Sequence, residues 1–240
     1  MTVIIFDFDG TLANTLDAIV SITNRLSGEF GYQPASPEEV IKLKNLSSRK
    51  VIQQFGLSLW KLPFLLKRVR SEFNNHINEL KPVPGIKEVL LELKKRGYHL
   101  GILTSNDRKN VQLFTKNHNW EHLFDFIHSE MNLFGKGRAN AARKIEHLLS
   151  QSRFDFLRRT RSPVRQEVIY VGDETRDIEA AKRTKIRASA VSWGFNSSEV
   201  SRDFLIHQPR ELIAAIENGE EKIVHCSIFH SQLTITITLQ

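Results

Sequence analysis

Apolar residues in this chain follow two alternating patterns, short continuous runs and longer segments of helical period. The short runs, each ending in small or polar residues, are "VIIFDFD" from Val3, "HLGILTSN" from His99, "EVIYVGDE" from Glu167 and "ASAVSWG" from Ala188. Residues 85–97, "GIKEVLLELKKRG", repeat apolar residues at helical spacing and end in basic residues and a glycine. The expected apolar face of this helix is Ile86, Val89, Leu90 and Leu93. Strands alternating with helices predict an α/β fold with a doubly wound, parallel sheet buried on both faces.

The segment from residue 14 to residue 84 interrupts this alternation, because its pattern is helical throughout. The proline-rich stretch "KPVPG" at residues 81–85 marks its end. We interpret the segment as an all-helical domain inserted after the first strand, with linkers at residues 13–15 and 81–84. Residues 1–13 and 85–240 then form a discontinuous core domain.

Polar residues stand where the predicted strands end. In a doubly wound sheet, ligands bind beyond the carboxyl ends of the strands, so these side chains should converge on one crevice. They are Asp7, Asp9, Thr104, Ser105, Asn106, Asp173 and Asp177. The sequence therefore predicts a polar, acidic site at this edge of the sheet.

The aspartates of this group predict a metal site. Asp7 and Asp9 are two residues apart in an extended segment, so their side chains start on the same face as like-charged neighbours. A hard divalent cation such as Mg²⁺ would hold them together with Asp173, because it takes carboxylate, carbonyl and water oxygens and shares the oxygens of a substrate phosphate. Asp177 lies four residues after Asp173, one helical turn on, so both can face the crevice.

The turn after the first strand predicts an anion contact. Gly10 and Thr11 would let backbone N–H groups approach an anion closely. Ordinary structural roles are the alternative for the acidic residues: Asp7 and Asp9 suit a turn or cap after a strand, and Asp177 suits the first turn of a helix.

Composition narrows the class of protein. The chain has 240 residues, of which 40% are hydrophobic, enough for one sizeable core or for a core with an accessory domain. A single cysteine excludes an internal disulfide framework and favours a cytoplasmic location. No basic segment precedes the first apolar run, as a signal peptide would require, and no apolar run has the length of a membrane span. The net charge of +7 suits an anionic partner.

The chain resembles the haloacid dehalogenase superfamily. Within it, the chain resembles the phosphatases that carry a C1-type cap domain, and among these the phosphoglycolate phosphatases. Four segments resemble the superfamily's motifs in the expected order: "DFDGTL", "GILTSN", "FGKGRA" and "VIYVGDETRDIEAA". The resemblance implies a Rossmann-like core, and it implies that residues 14–84 are the helical cap that closes over the active site.

The resemblance also implies roles for individual residues and a Mg²⁺ cofactor. Asp7 would be the nucleophile and Asp9 the acid/base, while Thr104 would hydrogen-bond the transferring phosphoryl group and Lys136 would neutralise its charge. The implied metal ligands are Asp7, Asp9, Asp173 and Asp177. The implied reaction is hydrolysis of a small organic phosphate monoester through an aspartyl-phosphate.

Substrate choice should depend on the predicted cap. Residues 43–56 resemble the cap loop that carries polar substrate contacts, and Arg49 is the candidate there because a guanidinium can bind a second carboxylate or phosphate bidentately. Gly10, Thr11, Ser105 and Asn106 complete the predicted substrate contacts. The third motif departs from the phosphoglycolate-phosphatase pattern, since Gly137 stands where a proline is common.

Three other functions stay open at this stage. A sugar-phosphate mutase would use the same residues, and a non-catalytic binding module could retain the fold. Nucleic-acid binding through the arginine-rich residues 151–166 would need more interleaved aromatic residues than this segment contains. The alternating tail "QLTITITLQ" predicts a strand that could pair with a sheet edge or with a second copy in a homodimer.

Overall fold

The protein is built around a six-stranded sheet in which every neighbouring pair of strands is parallel. This computed structural model describes residues 2–36, 38–40, 58, 60–129, 167–174, 178, 181, 186–194 and 205–217. The strands are β1 (Thr2–Phe6), β2 (His99–Thr104), β3 (Phe126–Ser129), β4 (Glu167–Gly172), β5 (Arg187–Val191) and β6 (Leu205–Ile206). Their order across the sheet is β3-β2-β1-β4-β5-β6.

This strand order is that of a doubly wound, Rossmann-like sheet. The chain moves outward from β1 through β2 to β3 and then returns to the other side of β1 as β4. The strand order therefore reverses between β1 and β4, and the crevice beyond their carboxyl ends is where such a fold binds ligands. The predicted fold class is confirmed.

The four predicted strands are confirmed, and the sheet has two more among the described residues. Residues 3–6 of β1 are completely or almost completely buried, as expected for a central strand covered on both faces. The sequence analysis missed β3 and β6 because β3 has four residues, including a histidine, and β6 has two. Neither is long enough to show the apolar run of a buried strand.

The described helices follow the periodicity of the sequence. They are α1 (Thr15–Phe30), α2 (Leu62–Asn75), α3 (Ile86–Lys95), α4 (Arg108–Asn117) and α5 (Glu211–Glu217), with short 3-10 turns at Ile77–Glu79 and Glu121–Leu123. The four residues predicted as the apolar face of α3 are all buried. Within the described part of the chain, no helix has both the length and the apolar character needed to cross a bilayer.

Helices α1 and α2 account for much of the segment predicted to be a helical cap. They pack against each other through buried apolar side chains, among them Leu26 and Phe73. An ion pair also joins them, with Arg25 Nη2 lying 2.6 Å from Glu72 Oε2. The helical pattern is confirmed for these residues, while the boundaries of a separate cap domain stay a prediction.

The two predicted linkers meet each other. Ala13 forms an antiparallel bridge with Pro82. On either side of it, the Asn14 N–H donates to the Lys81 carbonyl and the Val83 N–H donates to the Leu12 carbonyl, both over 2.9 Å. The chain therefore leaves the sheet toward α1 and returns from α2 through one hydrogen-bonded point.

An aromatic cluster connects the end of β1 to α4. The ring of Phe114 lies 5.0 Å from that of Phe8 and 5.5 Å from that of Trp120, measured between centroids, and both pairs are edge-on. All three side chains are completely buried. Edge-on pairs of this kind add to the stabilisation that burial alone provides.

We expect Phe114→Ala to lower the free energy of unfolding by about 3–5 kcal/mol, because it leaves a cavity between Phe8 and Trp120. Phe64→Ala on α2 is the matched control: the side chain of Phe64 is 63% exposed, so the same change should stay within about 0.5 kcal/mol. Urea unfolding followed by circular dichroism measures both. Equal losses for the two variants would contradict this assignment of the core.

Candidate active site

Two buried carboxylates lie at the reversal point of the sheet. Asp7 directly follows β1, and Asp173 directly follows β4; their exposed fractions are 8% and 1%. The pairing of β1 with β4 continues to the ends of both strands, because Phe6 stands opposite Val171 and the Asp7 N–H donates to the Val171 carbonyl over 2.8 Å. The two carboxylates therefore emerge side by side at one edge of the sheet, as the sequence predicts.

The turn after β1 folds back on itself. Gly10 has a φ of 75°, which favours glycine, and its N–H donates to the Ala13 carbonyl over 3.0 Å. The N–H groups of Leu12 and Ala13 both donate to the Phe8 carbonyl. The turn itself therefore uses the Gly10 N–H. The predicted approach of backbone N–H groups near Gly10 to an anion stays a prediction.

Thr11 holds Asp173. Its side chain is completely buried, and Oγ1 donates to Asp173 Oδ1 over 3.1 Å. Trp193, just beyond β5, donates from Nε1 to the Thr11 carbonyl over 3.2 Å. The Thr11 hydroxyl therefore orients a carboxylate of the site. The predicted anion contact through the backbone at Thr11 stays a prediction.

The other side of the site is built around Asp9, which is partly buried. Asn106 donates from Nδ2 to both carboxylate oxygens of Asp9, over 3.0 Å and 3.2 Å. Thr104, at the end of β2, is buried and accepts the Asn106 N–H on Oγ1. Ser105, between them, is exposed. The structure thus brings together the residues that the sequence placed at the ends of β1, β2 and β4.

Three predicted site residues, Lys136, Asp177 and Arg49, lie outside the described residues. Their roles stay predictions. The arginine-rich residues 151–166 and the strand predicted in the tail also lie outside the described residues.

The donor set at this edge fits a hard divalent cation. Asp7 and Asp173 supply carboxylate oxygens, the donors that Mg²⁺ prefers, and burying two carboxylates side by side is costly without a cation or a shared proton. In the part of the chain that the structure describes, no three His, Cys, Asp or Glu side chains form a metal-binding group by themselves. Further ligands would therefore be backbone oxygens, water, the substrate or Asp177.

The comparison with protein families decides the membership of this chain. The sequence model of the haloacid dehalogenase-like hydrolase family matches residues 4–191 of this chain. The chain belongs to this family. A phosphoglycolate phosphatase from Synechococcus elongatus is 36% identical over 220 residues, which cover 90% of this chain and 97% of the relative. A putative pyrophosphatase, PpaX, from Caldanaerobacter subterraneus is 27% identical over 229 residues, which cover 92% of this chain and 97% of the relative.

Solved structures of the haloacid dehalogenase-like family share the fold. A hydrolase of this family from Streptococcus pneumoniae has a TM-score of 0.66 at 24% identity, over 90% of this chain and 99% of that one. The resemblance stated from the four motifs is therefore confirmed at the level of the family and of its fold.

Two further residues of this haloacid dehalogenase-like site, Trp193 and Gly194, were not predicted from the sequence. A Cβ added to Gly194 would lie 2.0 Å from Asp173 Oδ2 and 2.3 Å from Asp173 Cβ, so the backbone approaches this carboxylate as closely as a glycine allows. The signal was the "WG" that ends the run "ASAVSWG". A glycine directly after a strand at the binding edge can mark a close approach of backbone to a site.

We expect Gly194→Ala to destabilise the protein by about 1–3 kcal/mol, since the methyl group must displace Asp173 or its own backbone. Gly28→Ala in α1 is the control, because a Cβ there meets nothing within 4 Å and alanine favours the helix by about 0.5–1 kcal/mol. The free energy of unfolding in urea measures both. A Gly194→Ala variant as stable as Gly28→Ala would show that Asp173 is not packed against residue 194.

Proposed function

We propose that this protein is a Mg²⁺-dependent phosphatase that hydrolyses a small organic phosphate monoester through an aspartyl-phosphate on Asp7. The observation that carries the proposal is the pair of buried carboxylates, Asp7 and Asp173, at the reversal point of the sheet. A structural role would not require two aspartates to be buried side by side. A cation that in turn attracts a phosphate dianion gives the pair a purpose.

Asp7 and Asp173 would hold the metal ion, together with the backbone carbonyl of Asp9 and with Asp177. When bound, Mg²⁺ supplies positive charge that offsets the negative charge of the carboxylates and of the phosphoryl oxygens. Thr11, Trp193 and Gly194 fix the orientation of Asp173. These residues hold the Asp173 side chain in place before a metal ion or substrate binds, which lowers the free-energy cost of reorganisation during the reaction.

In the first step, a carboxylate oxygen of Asp7 attacks phosphorus and forms an acyl-phosphate bond, while the bond from phosphorus to the ester oxygen breaks. Asp9, protonated at this stage, gives its proton to the departing alkoxide. In the second step, Asp9 takes a proton from water as its oxygen attacks the same phosphorus. The bond to Asp7 breaks, inorganic phosphate leaves, and both aspartates return to their starting protonation states. Thr104 and Lys136 would contact the phosphoryl oxygens in both steps.

The proposed substrate class is a small phosphorylated carboxylic acid, with phosphoglycolate as the first candidate. The 36% identical relative from Synechococcus elongatus bears the name phosphoglycolate phosphatase, which supports this choice. Arg49, in the predicted cap, would bind the substrate carboxylate. The name of the more distant relative, pyrophosphatase, makes inorganic pyrophosphate the second candidate.

We expect Asp7→Asn to lower phosphate release by at least about 10³-fold, because the amide keeps the shape of the side chain but cannot act as the nucleophile. Asp17→Asn, the same change on an exposed aspartate of α1, should leave turnover unchanged. Initial rates of phosphate release at saturating substrate give the comparison, and thermal unfolding establishes that both variants fold. Substantial turnover by Asp7→Asn would rule out Asp7 as the nucleophile.

A panel of phosphate esters tests the substrate and the cofactor together. We expect phosphoglycolate to give the highest kcat/KM of a panel that also contains pyrophosphate, N-acetylmuramic acid 6-phosphate and hexose phosphates. Chelation of divalent ions should abolish phosphate release, and added Mg²⁺ should restore it. Full activity in the chelated protein would contradict the metal-dependent mechanism.

The products of the same panel distinguish the alternative functions. Isomerised sugar phosphate without release of free phosphate would identify a mutase, in which a second hydroxyl replaces water as the acceptor. Binding of phosphate esters without turnover would identify a non-catalytic module that keeps the fold.

A further inference from the structure

Three asparagines form a continuous hydrogen-bonded chain from helix α2 to Asp9. Asn110 donates from Nδ2 to Asn74 Oδ1 over 2.7 Å and to Asn106 Oδ1 over 3.0 Å. Asn106 then donates from Nδ2 to the Asp9 carboxylate. Asn74 lies near the end of α2, and Asn110 lies in the first turn of α4. We call Asn74, Asn110 and Asn106 the asparagine relay.

The carboxylate of Asp9 sets the direction of this relay. Asn106 donates from Nδ2 to both carboxyl oxygens of Asp9, so its NH₂ group faces Asp9 and its carbonyl oxygen faces Asn110. Asn110 must in turn present its NH₂ group to Asn106, and the same group also reaches the carbonyl oxygen of Asn74. Each amide in the chain therefore has one orientation that satisfies its neighbours.

Asn106 is also fixed through its backbone. Its N–H donates to Thr104 Oγ1 over 3.0 Å, and its carbonyl accepts the hydroxyl of Ser129 at the end of β3. Its side-chain oxygen accepts a second donor, the N–H of Asp107, over 2.7 Å. Asp107 caps α4, accepting the Lys109 N–H on its side chain. The ends of β2 and β3 and the start of α4 thus hold one amide against Asp9.

We propose that the asparagine relay positions Asp9 for proton transfer to the leaving group, with Asn106 as the positioning residue and Asn110 and Asn74 as its supports. This inference rests on the proposed function, in which Asp9 is the acid/base. It replaces the direct substrate contact expected of Asn106 from the sequence, because the side-chain NH₂ group of Asn106 is engaged by Asp9. It also assigns to α2, in the predicted cap, a bonded connection with the residue that moves the proton.

Asp9 serves both steps of the proposed reaction, but kcat/KM reports only the steps up to departure of the alcohol, in which Asp9 protonates the leaving oxygen. Protonation of the leaving oxygen matters greatly for an alkyl phosphate, whose alkoxide is a poor leaving group, and little for 4-nitrophenyl phosphate, whose phenolate leaves without help. Attack by Asp7 is common to both substrates. A misplaced Asp9 therefore lowers kcat/KM of the alkyl ester selectively, whereas a general distortion of the site lowers kcat/KM of both.

The first test is Asn106→Ala, assayed with a primary alkyl phosphate and with 4-nitrophenyl phosphate at saturating Mg²⁺. We expect kcat/KM for the alkyl ester to fall by about 10- to 100-fold, the range seen when the hydrogen-bonding partner of a metal-binding side chain is removed. We expect kcat/KM for the nitrophenyl ester to fall much less. An equal loss on both esters would overturn the relay.

The second test combines the change with Asp9→Asn. Since Asn106 is proposed to act through Asp9, Asn106→Ala should cost almost nothing further in the Asp9→Asn background. A full additional loss there would overturn the relay. If Asp9→Asn itself kept full activity on the alkyl ester, the acid/base assignment and the relay would both fall. If Asp9→Asn is impaired but Asn106→Ala is not, the relay is wrong and the acid/base assignment of Asp9 stands.

The far end of the relay offers a variant that should fold without difficulty, because Asn74 is exposed. We expect Asn74→Ala to lower kcat/KM for the alkyl ester by about 5-fold, as for one lost neutral hydrogen bond, again with little effect on kcat/KM for the nitrophenyl ester. Asn117→Ala is the matched control. It removes an exposed Asn117–Asn78 hydrogen bond of 2.9 Å, which joins α4 to the 3-10 turn after α2 but is no part of the relay. Equal effects of Asn74→Ala and Asn117→Ala would contradict the proposed connection to α2.

Discussion

The pairing of β1 with β4 is the constraint on which the rest of the site depends. Its register fixes where Asp7 and Asp173 leave the sheet, and the hydrogen bond from the Asp7 N–H to Val171 extends the pairing to the first of these carboxylates. The sheet therefore brings two buried carboxyl groups to the same edge, and in the proposed reaction a cation stabilises the pair.

Each carboxylate on which the proposed reaction depends has its own structural support. Asp173 is oriented by Thr11 and bounded by Gly194, so its surroundings come from the turn after β1 and from the end of β5. Asp9 is bonded by Asn106, whose own anchors come from β2, β3 and α4. In the proposed reaction, the two halves of the sheet would thus serve different parts of the chemistry: the β5 side would hold a metal ligand, and the β3 side would hold the proton carrier.

The sequence was sufficient for those features that depend on local pattern. Alternating strands and helices predicted the doubly wound sheet, and polar residues after apolar runs predicted Asp7, Asp9, Thr104 and Asp173 as a group. The pattern could not show which hydrogen bonds those groups make. Gly10 and Thr11 have the residue types of an anion-binding turn, and the folded chain adds that the Gly10 N–H donates to Ala13 and the Thr11 hydroxyl to Asp173. Asn110 carries no motif, and its proposed role depends on a hydrogen bond between α4 and the end of α2, which only the tertiary structure reveals.

The bridge between Ala13 and Pro82 has a consequence for how this chain could change over evolution. The segment before α1 and the segment after α2 are hydrogen-bonded side by side, so the chain between them forms a loop whose two ends meet. The entropy cost of closing such a loop grows only slowly with its length. The segment can therefore be lengthened or replaced there while β1 keeps its partners, except at the end of α2, where Asn74 joins the asparagine relay. Recognition of the substrate would then diversify while the support of the proton carrier stays in place.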